Sequence, residues 1–250
     1  MTDVIAHRGD SAHAPENTLR AFRRAIERGA DRIELDVQRS ADGVPFVFHD
    51  IDLARLTGHG EIACSLRSAE LQSLQVLTDR FASGEDTGIP TLDTVLEEIG
   101  PACPLYVEIK ADGAGRHEGD LERLTDACIE RVDTPHVLAS FSVRVVRRCL
   151  EAGRPTVLIA PDPRRLGDLT PREQRALHAY SVLHERIDPQ LVSRCAEIDL
   201  PLWAWTVDRP RDFARLRSIG ADTAWCTNDP GALRAYLDAT PLDATPPEDA

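Results

Sequence analysis

The chain has 250 residues, of which 42% are hydrophobic and 28% are charged, a balance that excludes fibrous, collagen-like and wholly disordered proteins. Its formal net charge is −13, and it contains no lysine or arginine run that would give the basic face that nucleic-acid binding requires. Without an 18-residue apolar run or a signal-peptide pattern, the sequence predicts a cytoplasmic protein with no stable membrane association.

Short apolar segments alternate with longer amphipathic ones along the chain. Strands are predicted at Val4–Ala6, Arg32–Val37, Pro45–Phe48, Leu105–Ile109, Val137–Phe141, Thr156–Ala160, Ser181–His184, Leu202–Thr206 and Thr223–Cys226. Helices are predicted at Glu16–Arg28, Ser68–Leu74, Thr91–Ile99, Glu118–Arg131, Val143–Ala152, Pro171–Ala179, Pro189–Ile198, Pro210–Ile219 and Gly231–Leu237. Repeated strand-then-helix units predict a parallel sheet with helices outside it.

The number of these units favours a closed (β/α)8 TIM barrel over an open, doubly wound sheet. Nine strand segments compete for eight places, however. The second and third are joined only by residues 38–43, with Asp42-Gly43 as a turn signal. The barrel is therefore expected to be irregular there, or this pair is a hairpin. We predict a single domain over residues 1–239.

Two stretches differ from this pattern. Residues 51–90 separate the third strand from the next unit, and we interpret them as a short insertion. It is either a surface excursion or a lid or specificity element above the barrel mouth. Residues 240–250 are rich in proline, aspartate and threonine and are predicted to form a disordered tail.

Six cysteines occur without any CxxC pair. A catalytic thiol or a zinc site is the functional alternative. We favour small buried apolar residues in a reducing compartment.

Charged residues inside apolar strands point to a functional site. Glu34 and Asp36 alternate with apolar neighbours and so lie on one face of the second strand, and Glu108 and Lys110 follow the same spacing in another. A buried ion pair seldom stabilises a fold, so these charges need another reason. Three carboxylates form an all-oxygen set that suits Mg²⁺ or Ca²⁺ better than zinc.

Two histidines stand at predicted strand ends, where a barrel places its active site. His7 is followed by Arg8, and His49 is followed by Asp50. Histidine can donate or accept a proton near neutral pH, and the arginine fork suits phosphoryl oxygens. His184 also ends a predicted strand but lacks this combination. Trp205 is the aromatic residue of the eighth strand nearest the mouth, where it could line a pocket for an alcohol group.

The chain resembles the glycerophosphodiester phosphodiesterase family through an ordered set of motifs from residue 4 to about 230. They are His7-Arg8-Gly9, Pro15-Glu16-Asn17-Thr18, Glu34-Leu35-Asp36, His49-Asp50, Pro90-Thr91-Leu92, Glu108-Ile109-Lys110, Ser140-Phe141 and Trp205-Thr206-Val207. Two departures are Thr227-Asn228-Asp229-Pro230, where the family often has Thr-Asp, and Arg55-Leu56-Thr57, where it usually has Arg-Thr-Thr. We expect both departures to lie outside the residues that contact metal or substrate.

The resemblance implies a TIM barrel that hydrolyses glycerophosphodiesters, a small-molecule substrate, to sn-glycerol 3-phosphate and an alcohol. It implies a divalent cation on Glu34, Asp36 and Glu108. The acid–base pair would be His7 and His49. Arg8 and Lys110 would hold the phosphodiester, and Trp205 would line the alcohol pocket.

Several alternatives stay open at this stage. The nucleophile is water or the 2-hydroxyl of glycerol, and either histidine could be the acid. A lipid-directed phosphodiesterase of the lysophospholipase D or sphingomyelinase D type would share related barrel chemistry. A non-catalytic metabolite-binding barrel, or a metal-dependent hydrolase of sugars or amides, fits the charged residues less well.

Overall fold

The computed structural model describes residues 2–77, 81, 84–111 and 119–240. Nine strands form one sheet in the order β1-β9-β8-β7-β6-β5-β4-β2-β3, and an additional β1–β2 pairing closes it. The strands are β1 (Asp3–His7), β2 (Arg32–Arg39), β3 (Pro45–Val47), β4 (Leu105–Ile109), β5 (Val137–Ser140), β6 (Thr156–Ala160), β7 (Ala179–Leu183), β8 (Leu202–Trp205) and β9 (Ala224–Thr227). All neighbouring pairs except β2–β3 are parallel, which confirms the predicted TIM barrel.

Helices surround the barrel. They are α1 (Leu19–Glu27), α2 (Ala54–Thr57), α3 (Ser68–Ser73), α4 (Leu92–Glu98), α5 (Asp120–Arg131), α6 (Val143–Glu151), α7 (Pro171–Ala176), α8 (Pro189–Glu197), α9 (Pro210–Ser218) and α10 (Pro230–Ala239). Four of them begin at a proline, whose fixed φ angle and missing N–H suit the first turn. Two large apolar clusters fill the space between the barrel and this outer layer.

Some predicted boundaries shift for local reasons. α1 was predicted from Glu16 but begins at Leu19, because the Thr18 hydroxyl accepts a hydrogen bond from the Ala21 N–H and caps the helix there. The seventh strand ends before His184, which begins a 3₁₀ turn over His184–Arg186. α2 was not predicted. The predicted start of α5 at Glu118 lies outside the described residues, as do residues 241–250 of the predicted tail.

The irregular point of the barrel is a hairpin, one of the two forms that we predicted. β3 pairs antiparallel with β2, Val47 opposite Val37 and Pro45 opposite Arg39, and so lies outside the barrel. The Phe48 N–H then donates to the Asp36 carbonyl at 2.9 Å. The chain that follows β3 therefore returns toward the C-terminal end of the barrel strands. This return places His49 at the barrel mouth although its strand is not part of the barrel.

The insertion after this hairpin is packed. Within its described part, α2, a 3₁₀ turn at Ala63–Ser65 and α3 cover a small apolar cluster of their own. Its buried members are Phe46, Phe48, Leu53, Leu56, Ala63, Leu71, Val76 and Ile89. The segment therefore sits against the hairpin through a hydrophobic core of its own.

Every cysteine except Cys64 is buried. Burial raises the pKa of the Cys103 and Cys195 thiols to about 11, so the thiolate form that nucleophiles and zinc ligands need is disfavoured. These properties agree with the packing role that we favoured. None of the helices in the described residues combines the length and the apolar character needed to cross a membrane.

Candidate active site

The predicted site residues meet in one cavity at the C-terminal mouth of the barrel. Its volume is about 240 Å³. The predicted residues that line it are His7, Arg8, Glu34, His49, Glu108, Lys110 and Trp205. Asp36, the remaining predicted residue, is buried and contacts both Arg8 and Lys110. The predicted site residues therefore lie where a TIM barrel places its functional residues.

Three carboxylates converge inside the barrel. Glu34 and Asp36 alternate on β2, and Asp36 is the register partner of Glu108 on the adjacent strand β4. One oxygen from each carboxylate lies within 4.8 Å of the others. Burial, and then the neighbouring carboxylates, raise the pKa of Glu34 well above its usual value. The pKa of Glu108 is raised for the same two reasons.

Two cations partly offset this negative charge. Lys110 Nζ lies 2.9 Å from a Glu108 oxygen and 3.3 Å from an Asp36 oxygen, and Arg8 Nε lies 3.2 Å from the other Asp36 oxygen. Burial would raise the pKa of Asp36, but Arg8 and Lys110 outweigh it and lower that pKa. Lys110 is the only lysine of the chain, and it lies among these carboxylates.

A tight turn after β1 presents Arg8. Arg8 has φ +58° and Gly9 has φ +83°. A Cβ on Gly9 would come within 2.7 Å of the Ala21 carbonyl carbon, so only glycine fits between this turn and α1. The Arg8 N–H donates to Glu34 at 2.9 Å, and Asn17 donates to Asp36 at 2.8 Å. The turn is thereby bonded to the carboxylates on β2.

His7 is supported by a neutral amide. Its Nδ1 lies 2.7 Å from Asn228 Oδ1, while Asn228 Nδ2 donates to Asp208 at 2.6 Å. Because the amide nitrogen donates to a carboxylate, its oxygen must face the imidazole, and Nδ1 is the protonated ring nitrogen. His7 Nε2 is left without the proton and lies 4.0 Å from Glu34. Burial and the Arg8 charge lower the pKa of His7 to about 4.

His49 is supported by a carboxylate. Its Nδ1 lies 2.7 Å from Asp50 Oδ1. Burial would raise the pKa of Asp50, but the hydrogen bonds from His49 and Arg55 lower it. Arg55 of α2 also donates to both oxygens of Glu16, at 2.8 and 2.9 Å. Glu16 in turn accepts from Arg8 at 2.6 Å.

An apolar wall completes the cavity. The Trp205 and Phe141 rings meet edge to face with centroids 5.6 Å apart. Trp205 Nε1 donates to the Ser181 carbonyl at 3.3 Å, which fixes the indole. Tyr106 and Ile159 also line the cavity. The charged groups come from the β1, β2, β3 and β4 side, and the apolar wall comes mainly from β5, β6 and β8.

The sequence did not reveal the supports of the two histidines. Asn228 and Arg55 belong to the two motifs in which the chain departs from the family pattern. Asn228 bonds His7, and Arg55 bonds Asp50, the partner of His49. Asp208 gave no signal in the sequence because it follows β8 in a loop. His184 differs from these two histidines. It does not line the cavity and instead contacts Arg215 and Glu185.

The carboxylate set fits a divalent cation. Oxygen ligands from three buried carboxylates are what Mg²⁺ and Ca²⁺ prefer, and burial together with the neighbouring carboxylates raises the pKa values of Glu34 and Glu108. A second group, Asp10, His13 and Asp229, also lies close together. Its Asp10 is bonded by His13 and Arg24, so it is an ion-pair cluster that joins two loops.

Fold and site together define a TIM-barrel phosphodiesterase. The model of the glycerophosphoryl diester phosphodiesterase family matches residues 7–232. The chain belongs to this family.

Individual relatives agree. A glycerophosphodiester phosphodiesterase from Caldanaerobacter subterraneus subsp. tengcongensis is 36% identical over 243 residues, which cover 93% of this chain and 96% of the relative. A crystal structure of a Silicibacter pomeroyi protein has a TM-score of 0.82 at 25% identity, covering 96% of this chain and 94% of that one. An Oleispira antarctica phosphodiesterase in complex with the product sn-glycerol 3-phosphate has the same fold, with a TM-score of 0.78, 24% identity and coverage of 94% and 96%.

Proposed function

We propose that the protein hydrolyses small glycerophosphodiesters to sn-glycerol 3-phosphate and an alcohol, with Mg²⁺ or Ca²⁺ held by Glu34, Asp36 and Glu108. The observation that carries the proposal is the meeting of these carboxylates, two cations and two histidines in one cavity. The product in the Oleispira antarctica complex supports the choice of glycerol 3-phosphate.

The phosphodiester is held by Arg8 and Lys110. Arg8 lines the cavity, where Glu16 and Asp36 hold its guanidinium through Nη1 and Nε, so this fixed positive charge can meet a phosphoryl oxygen. Lys110 supplies a compact positive charge beside the carboxylates. When bound, the divalent cation acts as a Lewis acid for the phosphoryl oxygens and lowers the repulsion among the three carboxylates.

From these supports we infer opposite proton roles for the two histidines. His7 keeps Nε2 unprotonated because its Nδ1 proton is held by Asn228, so it is the general base for the attacking hydroxyl or water. His49 has its Nδ1 bonded to the Asp50 carboxylate, which leaves its Nε2 to transfer a proton. It is the general acid that protonates the leaving alcohol oxygen.

The cavity favours small diesters over lipids. The large apolar side chains that are exposed in the described structure are Ile51 and Leu77, too few to form an apolar groove. Trp205 and Phe141 offer a wall of limited size for the glycerol carbons. A lysophospholipase D type activity needs a surface that the described residues do not provide.

The test is an assay of purified protein with glycerophosphocholine, glycerophosphoethanolamine and lysophosphatidylcholine, each with Mg²⁺, Ca²⁺ or EDTA. We expect glycerol 3-phosphate from the first two substrates, dependent on the added metal. Glu34→Ala should abolish release. Glu185→Ala is the matched control, because this carboxylate is 63% exposed at the same end of the barrel and pairs only with His184 among described residues.

Release that survives EDTA and Glu34→Ala would contradict the metal role. Choline release from lysophosphatidylcholine alone would replace the proposed substrate class with the lipid one.

A further inference from the structure

The insertion reaches the catalytic groups through one side chain. Arg55 of α2 donates two hydrogen bonds to Asp50, at 2.6 and 3.0 Å, and two to Glu16, at 2.8 and 2.9 Å. Asp50 bonds His49, and Glu16 bonds Arg8. Charges therefore alternate along a continuous chain of contacts from the phosphate-binding arginine to the second histidine, with Arg55 at its centre.

We propose that Arg55 is a positioning residue for the reaction, which sets His49 through Asp50 and Arg8 through Glu16. The inference rests on the proposed function. Arg55 contacts neither the carboxylate set nor the cavity directly, so it acts only through these two partners. It would couple the packing of the insertion to the geometry of the barrel mouth.

The chemistry of the contacts explains why arginine stands here. A planar guanidinium can bind two carboxylates with paired hydrogen bonds, whereas a lysine ammonium presents a single point of charge. One Arg55 nitrogen, Nη2, contacts both Glu16 and Asp50. These two carboxylates therefore lie close together, and without Arg55 they would repel each other.

Local packing fixes the position of the helix that carries Arg55. Its helix contains Leu56, which is buried in the apolar cluster of the insertion. The Gln38 amide donates to the carbonyls of Phe48 and Asp50 at 2.8 Å, which fixes the segment that carries His49. Loss of Arg55 therefore removes the charge link while the backbone on either side remains held by other contacts.

The experiment compares Arg55→Ala and Arg55→Lys with Arg67→Ala. Arg67 is the matched control: it belongs to the same insertion, its side chain is 71% exposed and lies 3.8 Å from Asp42, and it does not line the cavity. Two diesters are used, glycerophosphocholine with a poor leaving group and glycerophospho-p-nitrophenol with a good one. Values of kcat and KM are measured with thermal unfolding of each variant.

For Arg55→Ala we expect KM to rise several-fold on both substrates, because Arg8 is loosened. We expect kcat to fall about tenfold on glycerophosphocholine and less on the nitrophenyl ester, because only the former needs the proton from His49. Arg55→Lys should be intermediate. Millimolar guanidinium should restore part of the kcat of Arg55→Ala, since the site of this side chain is 49% exposed, while equal NaCl should not.

Two further measurements separate this inference from the proposed function. The imidazole NMR signals of His49, identified by their loss in His49→Gln, should shift in Arg55→Ala and not in Arg67→Ala. Glycerol 3-phosphate should bind several-fold more weakly to Arg55→Ala by calorimetry. These readouts do not need turnover, so they hold even if the wild-type protein fails to hydrolyse any diester.

The inference is overturned if Arg55→Ala keeps wild-type kcat, KM and His49 signals. It is also overturned if the variant loses activity equally on both esters, without guanidinium rescue and with a lowered unfolding temperature, since that is the behaviour of a residue that only stabilises the insertion.

Discussion

His7 and His49 face the same cavity, but the two sides of the barrel mouth hold them in different ways. His7 ends a barrel strand and bonds the neutral amide of Asn228. His49 follows a hairpin strand outside the barrel and bonds the carboxylate of Asp50. Two identical side chains thus receive different hydrogen-bond partners, and we propose that this difference lets one site supply both a base and an acid.

The largest expected effect comes from removing either histidine. His7→Ala and His49→Ala should each lower kcat on glycerophosphocholine by about 10²–10⁴-fold, the usual size of an acid–base contribution. Steady-state assays at saturating metal measure it. A loss of less than tenfold for both variants would remove the histidines from the mechanism.

Two glycines, one on each side of the barrel mouth, differ in the space that they leave for a side chain. Gly9→Ala places a Cβ against the Ala21 backbone, whereas Gly43→Ala in the β2–β3 turn meets only the flexible end of Arg39. Both have positive φ. We expect Gly9→Ala to lower the free energy of unfolding by about 3 kcal/mol and Gly43→Ala by about 1 kcal/mol. Urea denaturation measures both values, and equal losses would show that the β1 turn is not specially constrained.

The supports should matter less than the histidines themselves. Asn228→Ala removes the acceptor that keeps the proton on Nδ1 of His7, and Asp50→Asn removes the charge beside His49. Each variant should therefore lower kcat about tenfold on glycerophosphocholine. Only Asp50→Asn should show a smaller loss on the nitrophenyl ester. If Asn228→Ala recovers on that ester instead, the two proton roles are reversed.

The smallest effect concerns stability at low pH. The pKa values of Asp50 and Glu16 are lowered in the folded protein, because the hydrogen bonds from their basic partners outweigh burial. Their contribution is therefore complete above the unfolded carboxyl pKa of about 4 and is lost as pH falls below it. The wild-type protein should lose more unfolding free energy between pH 6 and pH 3 than Glu16→Gln/Asp50→Asn does, by about 1 kcal/mol. Equal slopes in pH-dependent denaturation would contradict this.

The barrel could be read from the sequence because most strands are short apolar runs and most helix starts carry a side-chain cap or a proline. Three charged residues inside those apolar runs pointed to the candidate site, because burying a charge in a strand needs a reason. They are Glu34, Asp36 and Glu108. The partners of the histidines could not be read this way. Asn228 and Asp208 lie in loops that are distant in sequence from His7. Arg55 lies in a four-residue helix close in sequence to His49, without a periodic pattern. Only the closed barrel shows what these residues contact.

We propose that His7 is the base and His49 the acid. The most direct measurement is the ratio of kcat on glycerophospho-p-nitrophenol to kcat on glycerophosphocholine for each alanine variant, relative to the wild-type protein. We predict that the ratio rises by about 10²-fold or more for His49→Ala, because nitrophenolate leaves without a proton, and stays near the wild-type value for His7→Ala. An unchanged ratio for His49→Ala, or a rise for His7→Ala, would contradict the assignment.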